Sequence, residues 1–511
     1  MTFIWFIVKI SVKELLHETG PCLTSRLIKI MVDRGISSQA ARKRVERAEG
    51  IKRLAGIRFE KNAKFIYHQD QYGDDRFWNA LEEAFKTNGK CYWGAMLGLK
   101  QRGGACPKSL FSRICGAPIR RKNQLSPETI LERLTNIHLI KEVEDEKIGE
   151  PWICLNPYFY GVSAPSPEYR AVLMAEYVAI QAIADWARKL GFGSYGKFAV
   201  RGQIAVPEVS GIAWDITAPS YMRPLVSVLE GKIKPGFFVC DVALGHQITN
   251  EEVELFIRKY DMAASPHSMA PLMGFLVADG FMQTAYDKAR SSGLIACTTS
   301  QLFGEDLAKS LNDLIRLLSD AGRTAAVNPE HLEKVINSLS RIEGASANLR
   351  GSLFELVVGN LLVAVTGGYL TVGRKIADLA EIDVIIDRPE EAPTLIVECK
   401  AKMSGSMVSL ADVQKWYNKS VPVINETIRQ YDIKYKDKKL EFEIWTNGRF
   451  HPSAVKWLNK QETEFENHSL AWREGSYVKE YSQNDNVSKH TRDILKEHYF
   501  KNALTMVTSE E

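Results

Sequence analysis

The stretch LIVECKAK, residues 395–402, carries Glu398, Lys400 and Lys402 at alternate positions behind an apolar run. A strand has a side-chain period of two, so these three charges share one face while Val397, Cys399 and Ala401 share the other. Upstream, EIDVII (381–386) starts a second apolar strand with Asp383 at its head, and RPEEAP (388–393) between them reads as a hairpin turn. Pairing the two strands brings Asp383 beside Glu398. Two carboxylates that close repel each other unless one takes a proton or a cation sits between them. A hard cation such as Mg²⁺ or Mn²⁺ suits oxygen ligands of this kind. For the E-x-K triplet alone, an edge-strand salt bridge between Glu398 and Lys400 is the plainer alternative.

The succession ID, short hairpin, ECK resembles the core of the PD-(D/E)XK, or restriction-endonuclease-like, nuclease superfamily. GSLFELVVGNLLVAV (351–365) reads as an amphipathic helix with Glu355 inside it. SLADVQKWYNK (409–419) is a further helix carrying Gln414 and Tyr417, and LEFEIWTNGRF (440–450) a further strand. Helix, strand, strand, helix, strand is the order of the superfamily's common core. Ile382 stands where the proline of the motif's name would be, a departure common in the superfamily. The resemblance implies a metal site of Asp383, Glu398 and the Cys399 carbonyl, with Glu355 acting through a water. It also implies that Lys400 orients or deprotonates the attacking water. A lysine beside a cation in a desolvated strand can have its pKa lowered, which suits a base. Lys402 and Gln414 are candidate contacts to the nucleic-acid backbone, with a surface role as the alternative.

At 511 residues the chain is too long for one core and is expected to divide into several domains. A net charge of +4 favours local basic patches over a global field. The opening MTFIWFIV is too short to span a membrane and reads as a first strand or helix, so no membrane association is expected. None of the eight cysteines forms a C-x-x-C pair, which suggests buried free thiols in a reducing cytoplasm. No phosphate-binding loop, nucleophile elbow or dinucleotide fingerprint is present, so the chain carries no motor motif.

LTSRLIKIMVDRG (23–35) and SSQAARKRVERAEG (37–50) read as two helices, the second capped by Ser37 or Ser38. IKRLAGIRFEKNAKFIYH (51–68) alternates as a hairpin. Together they resemble a winged helix over residues 1–75, with Gln39, Arg42, Lys43 and Arg47 on the helix that would meet DNA. A solvated basic face is the alternative. A second winged-helix-like unit is expected over 76–161, with a basic cluster IRRKNQ (119–124), and VSAPSPE (162–168) reads as a linker.

Residues 168–310 echo the C-terminal unit. AEYVAIQAIADWARKLGF (175–192) puts Glu176 opposite Glu355, and GIAWDITAP (211–219) puts Asp215 where the later unit has Asp383. FFVCDVALGHQITNEEVELFIRKY (237–260) aligns Asp241 with Glu398 and Ala243 with Lys400. This unit reads as a degenerate nuclease-like domain without its lysine, joined through a helical connector (311–345) to a nuclease domain at 346–511.

The expectation is therefore a multidomain α/β chain: α+β winged helices, then a restriction-endonuclease-like mixed sheet flanked by helices in two tandem copies. Function is expected as Mg²⁺- or Mn²⁺-dependent cleavage of duplex DNA in the cytoplasm, in bacterial or phage-related defence or DNA processing. An RNA or branched-DNA nuclease, a nuclease subunit of an ATPase or helicase complex, and a non-catalytic DNA-binding recruiter remain as alternatives. A homodimer is a further partnership left open.

Overall fold

A computed structural model of the chain describes residues 11–500, except 122–123, 146–149, 157–165, 203–205, 230–231, 267–268, 321–328, 341–346, 377–379, 389–391 and 403–405. The opening apolar octapeptide, most of the expected linker and half of the RPEEAP turn lie outside the described residues. Ser166 and Pro167 of that linker instead start a helix. The Ser166 hydroxyl accepts the Tyr169 N–H at 3.0 Å, and Pro167 has the fixed φ that suits a first turn.

Residues 12–67 form helices Val12–Thr19, Thr24–Asp33 and Ser38–Arg47 beside a small antiparallel sheet. Its strands lie in the spatial order Cys22–Leu23, Phe65–Tyr67, Lys52–Arg53. Ser37 caps the third helix, its hydroxyl accepting the Ala40 N–H. The hairpin is shorter than expected, because Lys61 and Asn62 take positive φ and turn the segment between the strands. The same succession recurs in helices Lys90–Lys100, Phe111–Cys115 and Pro127–Asn136 with strands Ala105–Pro107, Glu150–Leu155 and Ile140–Asp145. Helix Asp75–Asn88 links the two units.

The middle unit runs α1 (Pro167–Lys189), β1 (Ala199–Val200), β2 (Ile216–Ser220), β3 (Gly236–Ile248), α2 (Asn250–Ala264), β4 (Leu272–Phe281), α3 (Gln283–Ser291) and β5 (Ile295–Thr298). Helices α4 (Glu305–Asp320) and α5 (Pro329–Ser340) follow. The C-terminal unit runs α6 (Ala347–Thr366), β6 (Tyr369–Ile376), β7 (Ala380–Asp387), β8 (Thr394–Lys400), α7 (Leu410–Lys415), α8 (Val421–Tyr431), β9 (Leu440–Thr446), α9 (Pro452–Leu458) and β10 (His468–Arg473). In each sheet the first three strands pair antiparallel and the last three parallel, in chain order across the sheet. The fold is mixed α/β, with several small sheets flanked by helices.

Strand parity assigns the faces. Cys240, Val242 and Leu244 of β3 and Leu395, Val397 and Cys399 of β8 point into one continuous core. Helices α1, α4, α5 and α6 fill the space between, so the stretch expected as a connector contributes Leu311, Leu314, Leu332, Val335 and Ile336 to that core. α6 is not the amphipathic helix expected: it buries Phe354, Leu356, Val357, Val358 and Leu361, because it lies between packed elements rather than at the surface, which accounts for its apolar character all round. The opposite sheet faces have separate cores: Val239 and Ala243 pack under α2, and Ile396, Phe442 and Ile444 pack under α7 and α8.

Candidate functional site

The last ladder pair joining β7 to β8 is Val384 with Val397, so the next register step sets Asp383 against Glu398. Asp383 is buried, and its Oδ2 accepts the Cys399 N–H at 2.8 Å. Glu398 and Lys400 share the face of Ile396, as the period of two requires, with Lys400 Nζ 2.6 Å from Glu398 Oε1. A third of the Lys400 side chain remains exposed. Glu355, half-buried on α6, lies near enough that its charge acts on Cys399 together with those of Asp383 and Glu398. Four sequence-predicted residues thus gather at one end of the sheet.

The surroundings of Lys400 and Cys399 act on both side chains. Burial disfavours the Lys400 ammonium, but Glu398 and then Asp383 outweigh it and raise its pKa above the ordinary lysine value. Lys400 is thereby held as an ammonium by its two acidic neighbours. Cys399 points its thiol into the opposite core, where burial pushes its pKa far up, so only its carbonyl remains as a ligand. Among the described residues, no group of three or more His, Cys, Asp or Glu side chains is placed to hold a metal ion. The metal reading therefore rests on the Asp383–Glu398 pair, backbone oxygen and water. Two carboxylates suffice for a hard cation that keeps most of its waters.

Lys402 has an acidic partner within the unit. Its ammonium reaches Asp412 Oδ2 at 3.3 Å, and Asp412 belongs to the capping box that opens α7. Asn447 grips the Lys402 backbone, accepting its N–H at 2.6 Å and donating to its carbonyl at 3.0 Å. Gln414 is half-buried on α7. The expected helix through Tyr417 changes to a wider turn at Trp416–Ser420 before α8 resumes, and the Tyr417 hydroxyl donates to the Glu462 carbonyl.

The middle unit repeats the motif with a different outcome. Asp215 lies one register step beyond the Ile216–Cys240 pair and so opposes Asp241, and its Oδ2 accepts the Val242 N–H at 2.8 Å. Three cations close the pair. Arg113, from the second N-terminal unit, binds Asp215 Oδ2 at 2.5 Å and the Val242 carbonyl. Arg201 lies 2.9 Å from both Asp215 and Glu176, and Lys259 of α2 lies 2.5 Å from Asp241. Burial alone would raise the Asp215 carboxyl, but Arg113 and Arg201 overcome it and lower the pKa to about 2.

Sequence alignment marked the lysine as lost at Ala243, yet Lys259 brings an amine to the pair from a helix. Ala243 itself is buried among apolar neighbours of α2. Arg113, Arg201 and Lys259 were missed. Their one signal is a cation in an otherwise apolar run, single in FSRIC and FAVRG and doubled in LFIRKY.

On the first N-terminal unit, Gln39, Arg42, Lys43 and Arg47 are exposed on helix Ser38–Arg47, while Ala41 and Val45 turn inward. The IRRKNQ cluster, by contrast, is partly spent on docking. Arg121 donates to the Met262 carbonyl at 2.7 Å, and the Ile119 N–H donates to the Gly211 carbonyl at 2.8 Å. No helix among the described residues is long and apolar enough to cross a membrane.

No known family profile matches the chain, and no curated protein is similar to it. One solved structure, described as that of a protein of unknown function, AF1548, aligns at 11% identity over 35% of this chain and 97% of its own. Its TM-score of 0.18 is too low to carry a fold assignment.

Proposed function

We propose that the chain is a metal-dependent nuclease whose C-terminal unit hydrolyses phosphodiester bonds of duplex DNA. In this reading the first N-terminal unit is a winged helix presenting Arg42, Lys43 and Arg47 to phosphates, and the middle unit is a silent copy of the restriction-endonuclease-like fold. One observation carries it. Two sheets of like strand order each place an acidic pair at the same register step, bridged by the same carboxylate to N–H bond, and the C-terminal pair keeps a partly exposed lysine.

Asp383 and Glu398, with the Cys399 carbonyl, are the oxygen donors for Mg²⁺ or Mn²⁺. When bound, such a cation polarises the phosphate and lowers the pKa of water. Asp383 is pre-positioned by the Cys399 N–H, so its carboxylate needs no reorganisation. Lys400, kept protonated by Glu398, offers positive charge to a phosphate oxygen. Glu355 orders water from α6.

The test incubates the purified chain with plasmid, linear duplex, single-stranded DNA and RNA, with Mg²⁺, Mn²⁺ or chelator. Metal-dependent cutting of duplex DNA that is lost in Asp383→Ala is expected, and four intact substrates would sink the reading. The Lys400–Glu398 contact favours one second reading, in which that pair is a structural salt bridge and the chain only recruits partners to DNA. Duplex binding without cleavage would select it.

A further inference from the structure

Asp215 and Asp241 sit toward one end of the middle sheet, where β2 begins. At the opposite end β2 finishes at Ser220, paired with Gly236 of β3. The Ser194 N–H donates to the Pro219 carbonyl at 2.8 Å, which sets the single helical turn Tyr195–Lys197 close to Tyr221. A two-stranded hairpin, Ser227–Leu229 with Lys232–Lys234, leads back into β3 at the same end and pairs Lys234 with Ser227, just after the turn Arg223–Leu225.

This end is where apolar side chains meet water. Tyr195 is 77% exposed, Ile233 66% and Tyr221 61%, and with Leu190 they make up four of the six most exposed large apolar side chains among the described residues. Scattered singly such residues need no explanation, but gathered at one place they mark a binding surface. The first three are each followed within two positions by an exposed cation: Lys197 after Tyr195, Arg223 after Tyr221 and Lys234 after Ile233. None of these cations has an ion pair among the described residues. The sequence offers little acid to balance them: no Asp or Glu lies between Asp185 and Glu208, and only Glu230, outside the described residues, lies between Asp215 and Asp241.

Unbalanced cations interleaved with exposed rings fit a partner that alternates phosphates with flat apolar faces. A single nucleic-acid strand does so, its bases stacking on tyrosine and its phosphates meeting lysine or arginine. A duplex shows only base edges in its grooves and offers the rings no face to stack on. A lipid surface calls for a continuous apolar face, which the interleaved cations break.

We infer that this end of the middle unit binds an unpaired strand of DNA, so that the copy with Ala243 in place of a lysine holds substrate. The choice of DNA over RNA rests on the nuclease reading. The strand contact itself is measured in chelator, so its failure and a failure to cut are read apart.

Fluorescence anisotropy of the full chain with labelled oligothymidylate tests this beside blunt duplex DNA, oligouridylate and phosphatidylserine vesicles. Tyr195→Ala with Tyr221→Ala, both side chains being exposed and so removable without disturbing the core, should weaken oligothymidylate binding about tenfold or more and leave duplex binding unchanged. Tyr195→Phe with Tyr221→Phe should keep wild-type affinity, since the ring rather than the hydroxyl stacks. Lys197→Ala with Arg223→Ala should reduce the salt slope by about 0.7 per lost contact. Oligothymidylate affinity unchanged in the tyrosine-to-alanine pair overturns the proposal, as does an equal loss for duplex. Tighter binding of oligouridylate overturns the choice of DNA, and binding of the vesicles alone, lost in the same variants, assigns the surface to lipid instead.

Discussion

In the middle unit, Asp215 and Asp241 are buried and neutralised by Arg113, Arg201 and Lys259, all from loop or helix positions and the first of them 102 residues from Asp215. In the C-terminal unit, Asp383 and Glu398 stand at the same register step with one lysine, a third of whose side chain is exposed. A carboxylate pair on neighbouring strands is thus a general device of this sheet, and what docks against it decides its use. Closed by protein cations, it becomes an interdomain bolt whose charges cannot be removed singly. Left with a partly exposed lysine, it is the pair proposed to take a metal and a phosphate.

The contrast is sharpest in stability. Arg113→Ala removes one of the two guanidiniums that neutralise buried Asp215, together with the donor to the Val242 carbonyl, and should cost about 3–5 kcal/mol, read from denaturant unfolding. Lys400→Met removes a partly exposed partner and should cost less than about 1 kcal/mol. Equal losses would erase the distinction between the two pairs.

In catalysis the ranking reverses. Asp383→Ala should lower metal-dependent cleavage about a thousandfold, several kcal/mol of transition-state stabilisation, with little change in the unfolding midpoint. Asp241→Ala, measured on protein shown to be folded, should spare the cleavage rate. Loss of cutting there would make the middle unit the catalytic one.

Acid should separate the pairs next. The pKa of Asp215 is lowered from 3.8 to about 2, so its contribution is present above pH 4 and lost as pH falls through 2. The contribution amounts to about 2 kcal/mol, and thermal unfolding between pH 5 and 2 should show it shrink in the wild type. Asp215→Asn, already destabilised at neutral pH, should flatten that dependence. A slope unchanged in Asp215→Asn would assign the acid loss to other carboxylates.

The smallest effect concerns the N-terminal face. Arg42→Ala with Lys43→Ala should weaken duplex binding and reduce the salt slope by about one unit per lost contact, without touching either sheet. An unchanged slope would return that face to solvent.

Legibility followed range. The E-x-K parity, the Ser37 cap and the helix with Gln39 to Arg47 outward depend on neighbours within a few residues, and all could be read. The start of α1 at Ser166 was readable too, through its Ser-Pro pair, but was taken for linker. The lysine of the middle pair could not be found by alignment, because Lys259 reaches Asp241 from a helix packed over the strand. Lys402 looked free in sequence and is tied to Asp412 across a loop.

What the sequence determined by itself was local: two apolar strands each carrying an acidic residue at a fixed phase, and basic residues on one helical face. Periodicity sets which way a side chain points but carries no information on which distant segment meets it. Only the tertiary structure decided that helices α4 and α5 fill a core common to both sheets. It alone brought Arg113 across 102 residues to Asp215. The physical reason is that a buried ion pair is stable only once both partners are desolvated together, and that condition is met by docking of whole elements rather than by any local pattern.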